Sequence, residues 1–370
     1  MDAKFNNFAV PPGVFIQEEL DERGWSQTDL AYILGIHPQG VNQIISGKRG
    51  ISADMAKALG DAFGTSADLF ANLQKSYELS RAHDPDPAIA RRGRVQSKYP
   101  LREMIKRGWI ADASADMMEL QLARFFSVAS IDEVPHLEYA AKKSHYDEVP
   151  PAQLAWLFRV RHIAREMVAP EYSQDKLRKA LTVMKRWRAN VEDARQVPSV
   201  LLEAGVRFVV SEGLPGSKID GVCFWLDKDS PVIGMSLRFD RVDNFWFVLA
   251  HECAHVLHGH GMSQEIIDVE LEKQDDIDVE EKLANSDAAE FCVPQDKMNS
   301  FYARKNPFFS ERDVAAFATR MGVHIGIIVG QLQRRMGRYD FLRKHQARIR
   351  EHLSIATLAD GWGDVVPVEL

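Results

Sequence analysis

Residues 245–261 read FWFVLAHECAHVLHGHG, and within them His251 to His255 fit the pattern H-E-x-x-H. On an α-helix His251 and His255 project from one face about one turn apart, so both imidazoles can bind one tetrahedral zinc ion. Glu252 lies beside that face, where its carboxylate can take a proton from a water molecule that zinc activates for attack on a carbonyl. The pattern therefore predicts a helix that carries two metal ligands and a catalytic base.

The residues around the motif predict that this helix is buried, because apolar side chains lie on almost every side of it. They are Phe245, Trp246, Phe247, Val248, Leu249, Val256 and Leu257. Burying two histidines and a glutamate together costs free energy unless a partner such as a metal ion offsets it. A five-residue pattern also occurs by chance, but burial next to a predicted sheet argues against chance here. Cys253 lies about 200° round the helix from His251, and we expect it to be a core thiol rather than a ligand.

A third ligand has to come from elsewhere in the chain. The longer pattern H-E-x-x-H-x-x-G-x-x-H is excluded, because His258 and Gly261 stand at its glycine and final histidine positions. His258, His260 and His324 stay open as residues that stabilise an oxyanion or serve ordinary structural roles.

The other source of a third ligand is a glutamate on a following helix. In VEEKLANSDAAEFCVP, residues 279–294, both Glu280 and Glu281 border the predicted inner face. That face consists of Leu283, Ala284, Ala288, Phe291 and Cys292. Spacing leaves the choice between the two glutamates open. Glu281 is followed one turn later by Asn285, whose amide is placed to orient a ligating histidine.

Strand-like runs lie just before the motif helix. They are VRFVV at 206–210, VCFWL at 222–226 and VIGMSL at 232–237, rich in β-branched and aromatic residues. The segment 264–281 holds nine acidic residues and one lysine, which predicts a solvated loop before helices return at about 282–350. The chain is therefore expected to be an α+β protein with a small sheet beside the metal-binding helix.

Composition places the protein in a broad class. The 370 residues are 45% apolar, the net charge is −7, and no apolar run approaches the roughly 20 residues of a membrane helix. The start MDAKFNNFAV lacks the layout of a signal peptide. Cys223, Cys253 and Cys292 lie too far apart in sequence for a thiolate zinc knuckle or a disulfide framework. We expect a cytoplasmic protein of two or three domains without a membrane partner.

Residues 12–78 break into five helix-like segments separated by Gly, Pro or Ser, which predicts a compact all-helical domain. The stretch QTDLAYILGIHPQGVNQIISG has a helix-turn-helix layout, with a first helix at 27–34 and a second at 38–46. Gly35 lies at the turn between them. The apolar side chains that would anchor the second helix are Val41, Ile44 and Ile45.

The outward side chains of this layout are suited to duplex DNA. Gln39, Asn42 and Gln43 can bond base edges, since a Gln or Asn amide bonds adenine bidentately. Gln27 is the first residue of the first helix, where its side chain and the helix amino terminus can bind a DNA phosphate. Lys48 and Arg49 would contact the phosphate backbone of the DNA. Residues 1–78 nevertheless hold six Lys or Arg against ten Asp or Glu. A local patch must therefore carry any DNA binding, or the domain binds protein instead.

Between these two regions the chain is mostly helical in pattern. Residues 81–107 carry eight Lys or Arg against three Asp or Glu and are interrupted by prolines, which we interpret as a hinge with a basic face. The predicted organisation is a DNA-binding domain at 1–80, a hinge and helical linker region at 81–195, a peptidase-like domain at 196–350 and a tail at 351–370.

Two stretches resemble known families. HECAH followed by EKLANSDAAEFCVP resembles the E-x-E-A-N-x-F-A-A-x-x-L-x-P signature of the ImmA/IrrE-type metallopeptidases, gluzincin-like enzymes best known for cleaving helix-turn-helix repressors. The likeness runs from about 195 to 335 and implies that Glu281 is the third zinc ligand. It also implies a zinc endopeptidase whose substrate is a repressor, either this chain or a partner. Leu283 and Asp287 depart from the signature, where an acidic and an aromatic residue are usual.

Residues 11–78 resemble HigA-type antitoxins of the phage-repressor-like helix-turn-helix family. The resemblance implies a homodimer on a double-stranded DNA operator, with Gln39 and Gln43 at base-reading positions, and a cognate toxin as a further partner. Pro38 and Gly40 depart from the usual polar pair. The alternative to a peptidase is a non-catalytic repressor or antitoxin whose peptidase-like domain binds a signal or a partner.

Overall fold

A computed structural model describes residues 10–133, 135, 149–260, 262, 266–269, 279–354 and 359–368. The chain forms two compact units, Met1–Pro87 and Ala88–Leu370. The first unit is all-helical, and the second combines helices with a small sheet. The predicted α+β class is confirmed.

Five helices make up the first unit: α1 Pro12–Arg23, α2 Gln27–Leu34, α3 Pro38–Ile45, α4 Ala53–Phe63 and α5 Ala67–Arg81. A capping box starts α2, since the Ser26 side chain accepts a hydrogen bond from Asp29 N and the Asp29 carboxylate accepts one from Ser26 N. Gly35 ends α2 with φ +65°, a left-handed conformation that glycine adopts without strain. The helices pack around Leu20, Leu30, Val41, Leu59 and Phe70.

The second unit has five strands and twelve α-helices among its described residues. The strands are β1 Arg207–Ser211, β2 Ile219–Trp225, β3 Pro231–Met235, β4 Ile266–Val269 and β5 Ala359–Asp360. The helices are α6 Pro87–Lys98, α7 Leu101–Lys106, α8 Ala115–Phe125, α9 Pro151–Glu166, α10 Gln174–Trp187, α11 Val197–Glu203, α12 Val242–His258, α13 Val279–Cys292, α14 Gln295–Lys305, α15 Glu311–Met321, α16 Ile325–Met336 and α17 Arg350–Ser354.

The strand order in the sheet is β4-β2-β3-β1-β5. β1 runs parallel to β3 and β5, and β2 runs antiparallel to β3 and β4. Both faces of the sheet are covered, since Phe208 and Val210 join the core that contains α12 whereas Val209 joins the core that contains α9. The helix with the H-E-x-x-H motif therefore lies between the sheet and the helices α13 and α16, buried as the sequence predicts.

Most of the basic segment 81–107, predicted to be a hinge, is helical, and residues 82–86 between α5 and α6 are its longest part outside any helix. Pro87 is the first residue of α6 and Pro100 precedes α7, and proline is tolerated at a helix start because its missing N–H has no helical partner there. Two cations of α6 are paired locally: Arg91 Nη2 lies 2.9 Å from Glu119 Oε2, and Lys98 Nζ lies 2.7 Å from Asp132 Oδ1.

In two other segments of the second unit the structure differs from the expectation. The predicted loop at 264–281 contains β4, which pairs with β2 at the sheet edge, and ends in the first turn of α13; residues 263–265 and 270–278 lie outside the described residues. The predicted tail at 351–370 contributes β5 to the other edge of the sheet and buries Val366.

A buried ion pair holds β5, which is only two residues long, against the sheet. Asp360 and Arg159 are 0% and 1% exposed. Arg159 Nε donates to Asp360 Oδ2 at 3.1 Å, and Trp109 Nε1 donates to the same oxygen at 3.0 Å. The main-chain N–H of Val366 donates to Oδ1 at 3.1 Å. The ion pair and these hydrogen bonds offset the free-energy cost of removing both charges from water.

By length and composition, no single helix of the described segments could cross a membrane. The helices α15 and α16 satisfy that test only when taken together, and they are bent by 118° to each other.

We predict that Asp360→Ala lowers the free energy of unfolding of the second unit by about 3–5 kcal/mol, because it leaves the Arg159 guanidinium buried without its carboxylate. Urea unfolding measures the change. The exposed Asp364→Ala is the matched control and is expected to shift stability by less than about 0.5 kcal/mol. A loss no larger for Asp360→Ala than for the control would contradict this role of the ion pair.

Candidate functional site

Two neighbouring helices bring three potential metal ligands together. His251 and His255 lie on α12, and their Nε2 atoms are 3.0 Å apart. Glu281 lies in the first turn of α13, with Oε2 3.3 Å from His251 Nε2 and Oε1 3.3 Å from His255 Nε2. Both histidines are fully buried, and the Glu281 side chain is 14% exposed. Each residue offers a ligand atom within 4.8 Å of the others.

These distances fit a zinc ion. Two donor atoms held at about 2.1 Å from one zinc in tetrahedral geometry lie roughly 3.3 to 3.4 Å apart. Two imidazole nitrogens and one carboxylate are also a donor set that zinc takes in catalytic sites, with a fourth position left open. Burial raises the pKa of Glu281, but hydrogen bonds from His251 and His255 outweigh it and hold the pKa well below its usual value. Glu281 is therefore an anion, as a metal ligand must be.

Glu252 follows His251 on α12 and is fully buried against strand β2. Gly221 of β2 makes this approach possible, because a Cβ at that position would lie 2.9 Å from both Glu252 Cδ and Val248 Cγ1. Sequence reasoning missed Gly221, although a glycine inside the strand-like run IDGVCFW marks a close approach of the kind found here.

His260 contacts the candidate metal ligand His255 from outside. The Nδ1 atoms of the two rings are 3.0 Å apart, so one ring donates a hydrogen bond to the other. The main-chain oxygen of His260 accepts a hydrogen bond from Trp225 Nε1 at 2.9 Å, which fixes the loop on β2. Burial lowers the pKa of His260 and favours the neutral ring that can accept the His255 proton. When His255 Nε2 binds a metal, this hydrogen bond sets its tautomer and orientation.

Asn285 was predicted to orient a ligating histidine, but the structure does not show it in that role. Asn285 lies one turn after Glu281, but its Oδ1 is buried without a hydrogen bond from the described residues. His324 caps α16, where its Nδ1 accepts a hydrogen bond from Gly326 N at 3.1 Å. Cys253 is fully buried and its pKa is raised to about 12 by burial, so it is the core thiol that we predicted.

The exposed side of α13 differs in part from the prediction. Leu283 was placed on the inner face but is 41% exposed, because the packed stripe of α13 consists of Ala284, Ala288, Phe291 and Cys292. Glu280, the alternative ligand, is exposed to solvent. Asp287, where the family signature has an aromatic residue, accepts a hydrogen bond from His258 Nε2 at 2.9 Å if that nitrogen carries the proton.

The candidate DNA-binding residues lie on α2, on α3 and in the turn after α3. Gln39, Asn42, Lys48 and Arg49 are exposed, and Gln27 and Gln43 are half-buried. Asn42 Nδ2 donates to Gln27 Oε1 at 3.3 Å, which joins the two helices in one polar surface. Val41 and Ile44 are buried beneath it, while Ile45, also predicted as an anchor, is half-buried.

The start of α3 is fixed by its own residues. Pro38 is the first helical residue, and His37 Nδ1 accepts a hydrogen bond from Gln39 N at 3.2 Å. Proline therefore occupies a position where it supports the helix and its lack of an N–H costs nothing.

The fold and the sites define a helix-turn-helix protein joined to a domain with a metallopeptidase-like centre. Residues 16–70 match the helix-turn-helix family, and residues 203–332 match a peptidase family described as the IrrE N-terminal-like domain. The chain belongs to the helix-turn-helix family through its first unit and carries an IrrE N-terminal-like domain in its second.

Similar proteins cover one domain-sized part of the chain. Virulence-associated protein I of Dichelobacter nodosus is 37% identical over 82 residues, which are 22% of this chain and 76% of that protein. The HTH-type transcriptional regulator YddM of Escherichia coli K12 is 34% identical over 71 residues, 19% of this chain and 76% of that protein.

The similar solved structures also cover about a fifth of this chain. The antitoxin HigA of Pseudomonas aeruginosa, solved with the higBA promoter, is 37% identical and covers 22% of this chain and 98% of its own, with a TM-score of 0.20. A HigA-family antidote protein of Coxiella burnetii is 36% identical and covers 20% of this chain and 79% of its own, with a TM-score of 0.19.

We predict that Glu281→Ala removes stoichiometric zinc from the purified protein, because two histidines alone leave the site short of one ligand and of its negative charge. The neighbouring Glu280→Ala is the matched control and should keep one zinc per chain, since Glu280 faces solvent. Metal content after dialysis measures both. Full zinc occupancy in Glu281→Ala would refute the ligand assignment.

Proposed function

We propose that the protein is a DNA-binding transcriptional regulator with a zinc-dependent endopeptidase domain, which cleaves a helix-turn-helix repressor and so relieves repression. The repressor is either this chain or a partner. The observation that carries the proposal is the convergence of His251, His255 and Glu281 within 3.3 Å of one another, with Glu252 buried next to His251 on the same helix.

In this proposal a zinc ion in the site would polarise a peptide carbonyl and make a water molecule more acidic. Glu252 then takes the proton of that water as the water attacks the carbonyl carbon, and passes it to the leaving amine. Its burial against Gly221 limits the side chain to few positions, which keeps the carboxylate oriented for this transfer. His260 supports the reaction from outside by holding the His255 ring in place.

The proposal places DNA recognition on the polar surface of α2 and α3. Gln39 and Asn42 are exposed amides, and Lys48 and Arg49 supply positive charge for phosphates in a unit that is acidic in total. The relative YddM is by name an HTH-type transcriptional regulator, which supports this role. One recognition helix reads only a few base pairs, so we infer a dimer that binds two half-sites about one helical turn apart.

If the chain cleaves itself, residues 82–86 are the best candidate segment. They lie between α5 and α6, have no helical or strand structure, and are exposed. A peptidase needs an extended and accessible backbone, whereas the flanking residues are held in helices. Cleavage there would separate the helix-turn-helix unit from the second unit.

We predict that Glu252→Gln keeps one zinc per chain but lowers the rate of cleavage at least about a hundredfold, because it removes the base and leaves the ligands in place. The test incubates zinc-loaded protein with itself and with a separate helix-turn-helix repressor, and follows intact masses. Glu280→Gln is the control that should cleave like the wild type.

Two outcomes would contradict the peptidase proposal. One is that the zinc-loaded wild type leaves every mass unchanged, which favours a non-catalytic regulator that binds a signal, a cognate toxin or another partner. The other is that Glu252→Gln cleaves as fast as the wild type.

We predict that Gln39→Ala and Gln43→Ala reduce discrimination between operator and unrelated duplex by about 1–3 kcal/mol each, because they remove contacts to bases. Lys48→Ala should weaken binding to both duplexes alike, since a phosphate contact carries no sequence information. Fluorescence anisotropy at fixed salt measures the affinities. No footprint on the protein's own promoter, or unchanged discrimination in both glutamine variants, would argue against this surface.

A further inference from the structure

A groove lies between the helices α12 and α13, next to the candidate metal site. Its volume is about 420 Å³, and α14 and α16 complete its walls. Phe247 lines it one turn before His251, with the two rings 6.3 Å apart. Asn285 lines it one turn after Glu281. The groove thus lies on the same faces of α12 and α13 that carry the metal ligands.

Cationic side chains line the groove along its length, since Lys282 directly follows Glu281 and the Arg334 guanidinium lies 5.2 Å from the centre of the Phe247 ring. The cationic residues are Arg334, Arg335 and Lys282. Arg335 donates hydrogen bonds to Asn299 Oδ1 and to Gln295 Oε1, both at 2.8 Å. These amide oxygens hold the guanidinium in one orientation but carry no charge that would neutralise it.

Among the described residues that line the groove, Asp243 is the acidic one, and it is already paired. It accepts hydrogen bonds from Arg241 Nε at 3.0 Å and from Arg241 Nη2 at 2.6 Å. Arg335 and Lys282 therefore give the described lining a cationic character. Burial lowers the pKa of Arg335, and a cation that has lost part of its water gains more from a carboxylate than a fully exposed one does.

We propose that this groove binds an extended peptide segment and that Arg335, with Arg334 and Lys282, selects a carboxylate on it. The selected group is the side chain of an aspartate or glutamate, or a chain terminus. The ring of Phe247 contacts the peptide next to the metal centre. This inference rests on the proposed peptidase function, since it names the class of peptide that the site accepts.

The test is peptide binding to the full-length, zinc-loaded Glu252→Gln protein, which does not require turnover. The probe is a labelled peptide of residues 80–90, capped at both ends, which contains Asp84 and Asp86. A second peptide carries Asp84→Asn and Asp86→Asn. A third has the same two substitutions and a free carboxyl terminus, which separates a side-chain carboxylate from a terminal one.

We expect at least one carboxylate peptide to bind about tenfold more tightly than the capped Asn peptide at low salt. Adding Arg335→Gln should abolish that preference. Arg335→Lys, which keeps the charge, should retain a preference of at least threefold or so. Arg338→Gln is the control, because Arg338 pairs with Asp340 on the surface and is not among the residues that line the groove.

Equal binding of all three peptides, or a preference that survives Arg335→Gln, would overturn the proposal. If Arg335→Gln does not fold, Lys282→Gln must reduce the preference, or the proposal is wrong. The outcome is independent of the peptidase test: a wild type that cleaves without a preference for acidic peptides refutes the groove assignment alone. A wild type that cleaves nothing refutes the peptidase function and leaves the binding preference as a separate result.

Discussion

The arrangement of the second unit depends on the close packing of α12 against α13. This packing brings three polar side chains, His251, His255 and Glu281, together inside an apolar core. Ala284 and Ala288 are fully buried on α13, and their small side chains let the two helices approach. This approach places both Glu281 oxygens 3.3 Å from the histidine nitrogens of α12. Two imidazoles and a carboxylate in such a core require compensation for their lost hydration, and a bound cation would supply it.

The remainder of the unit supports this arrangement. The sheet covers one side of α12 and has a glycine, Gly221, where the Glu252 carboxylate needs room. The chain end closes the opposite edge of the sheet through the buried pair Arg159 and Asp360. The same chain carries a helix-turn-helix unit, so a peptidase that cuts repressors would have a candidate substrate at a high effective concentration. Selection of substrate by charge is one way to limit cleavage of other proteins.

The sequence was sufficient for features that have a local signal. The H-E-x-x-H helix, the three strands before it and the five amino-terminal helices follow from periodicity, spacing and caps. The choice of Glu281 over Glu280 did not follow from spacing, because both border the packed face of α13, and it needed the family resemblance. The structure now separates them, with Glu280 exposed and Glu281 facing the histidines.

Other features depend on tertiary contacts that no local pattern encodes. Asp360 meets Arg159 across a separation of 201 residues, so β5 looked like part of a tail. Gly259 ends α12 with φ +72° and turns the chain back, so that the His260 ring reaches His255. The sequence predicts a turn at this glycine but not the position of the ring that follows it. Pro87 and Pro100 stand at helix starts and Pro85 lies in the stretch before α6, which the basic, proline-containing sequence alone does not distinguish.

X-ray absorption at the zinc edge of the full-length protein tests the central claim most directly. Our account predicts one zinc per chain with only nitrogen and oxygen neighbours at about 2.0–2.2 Å, including the outer-shell scattering of two imidazole rings. A sulfur neighbour at about 2.3 Å, a single imidazole, or the absence of stoichiometric zinc would contradict it.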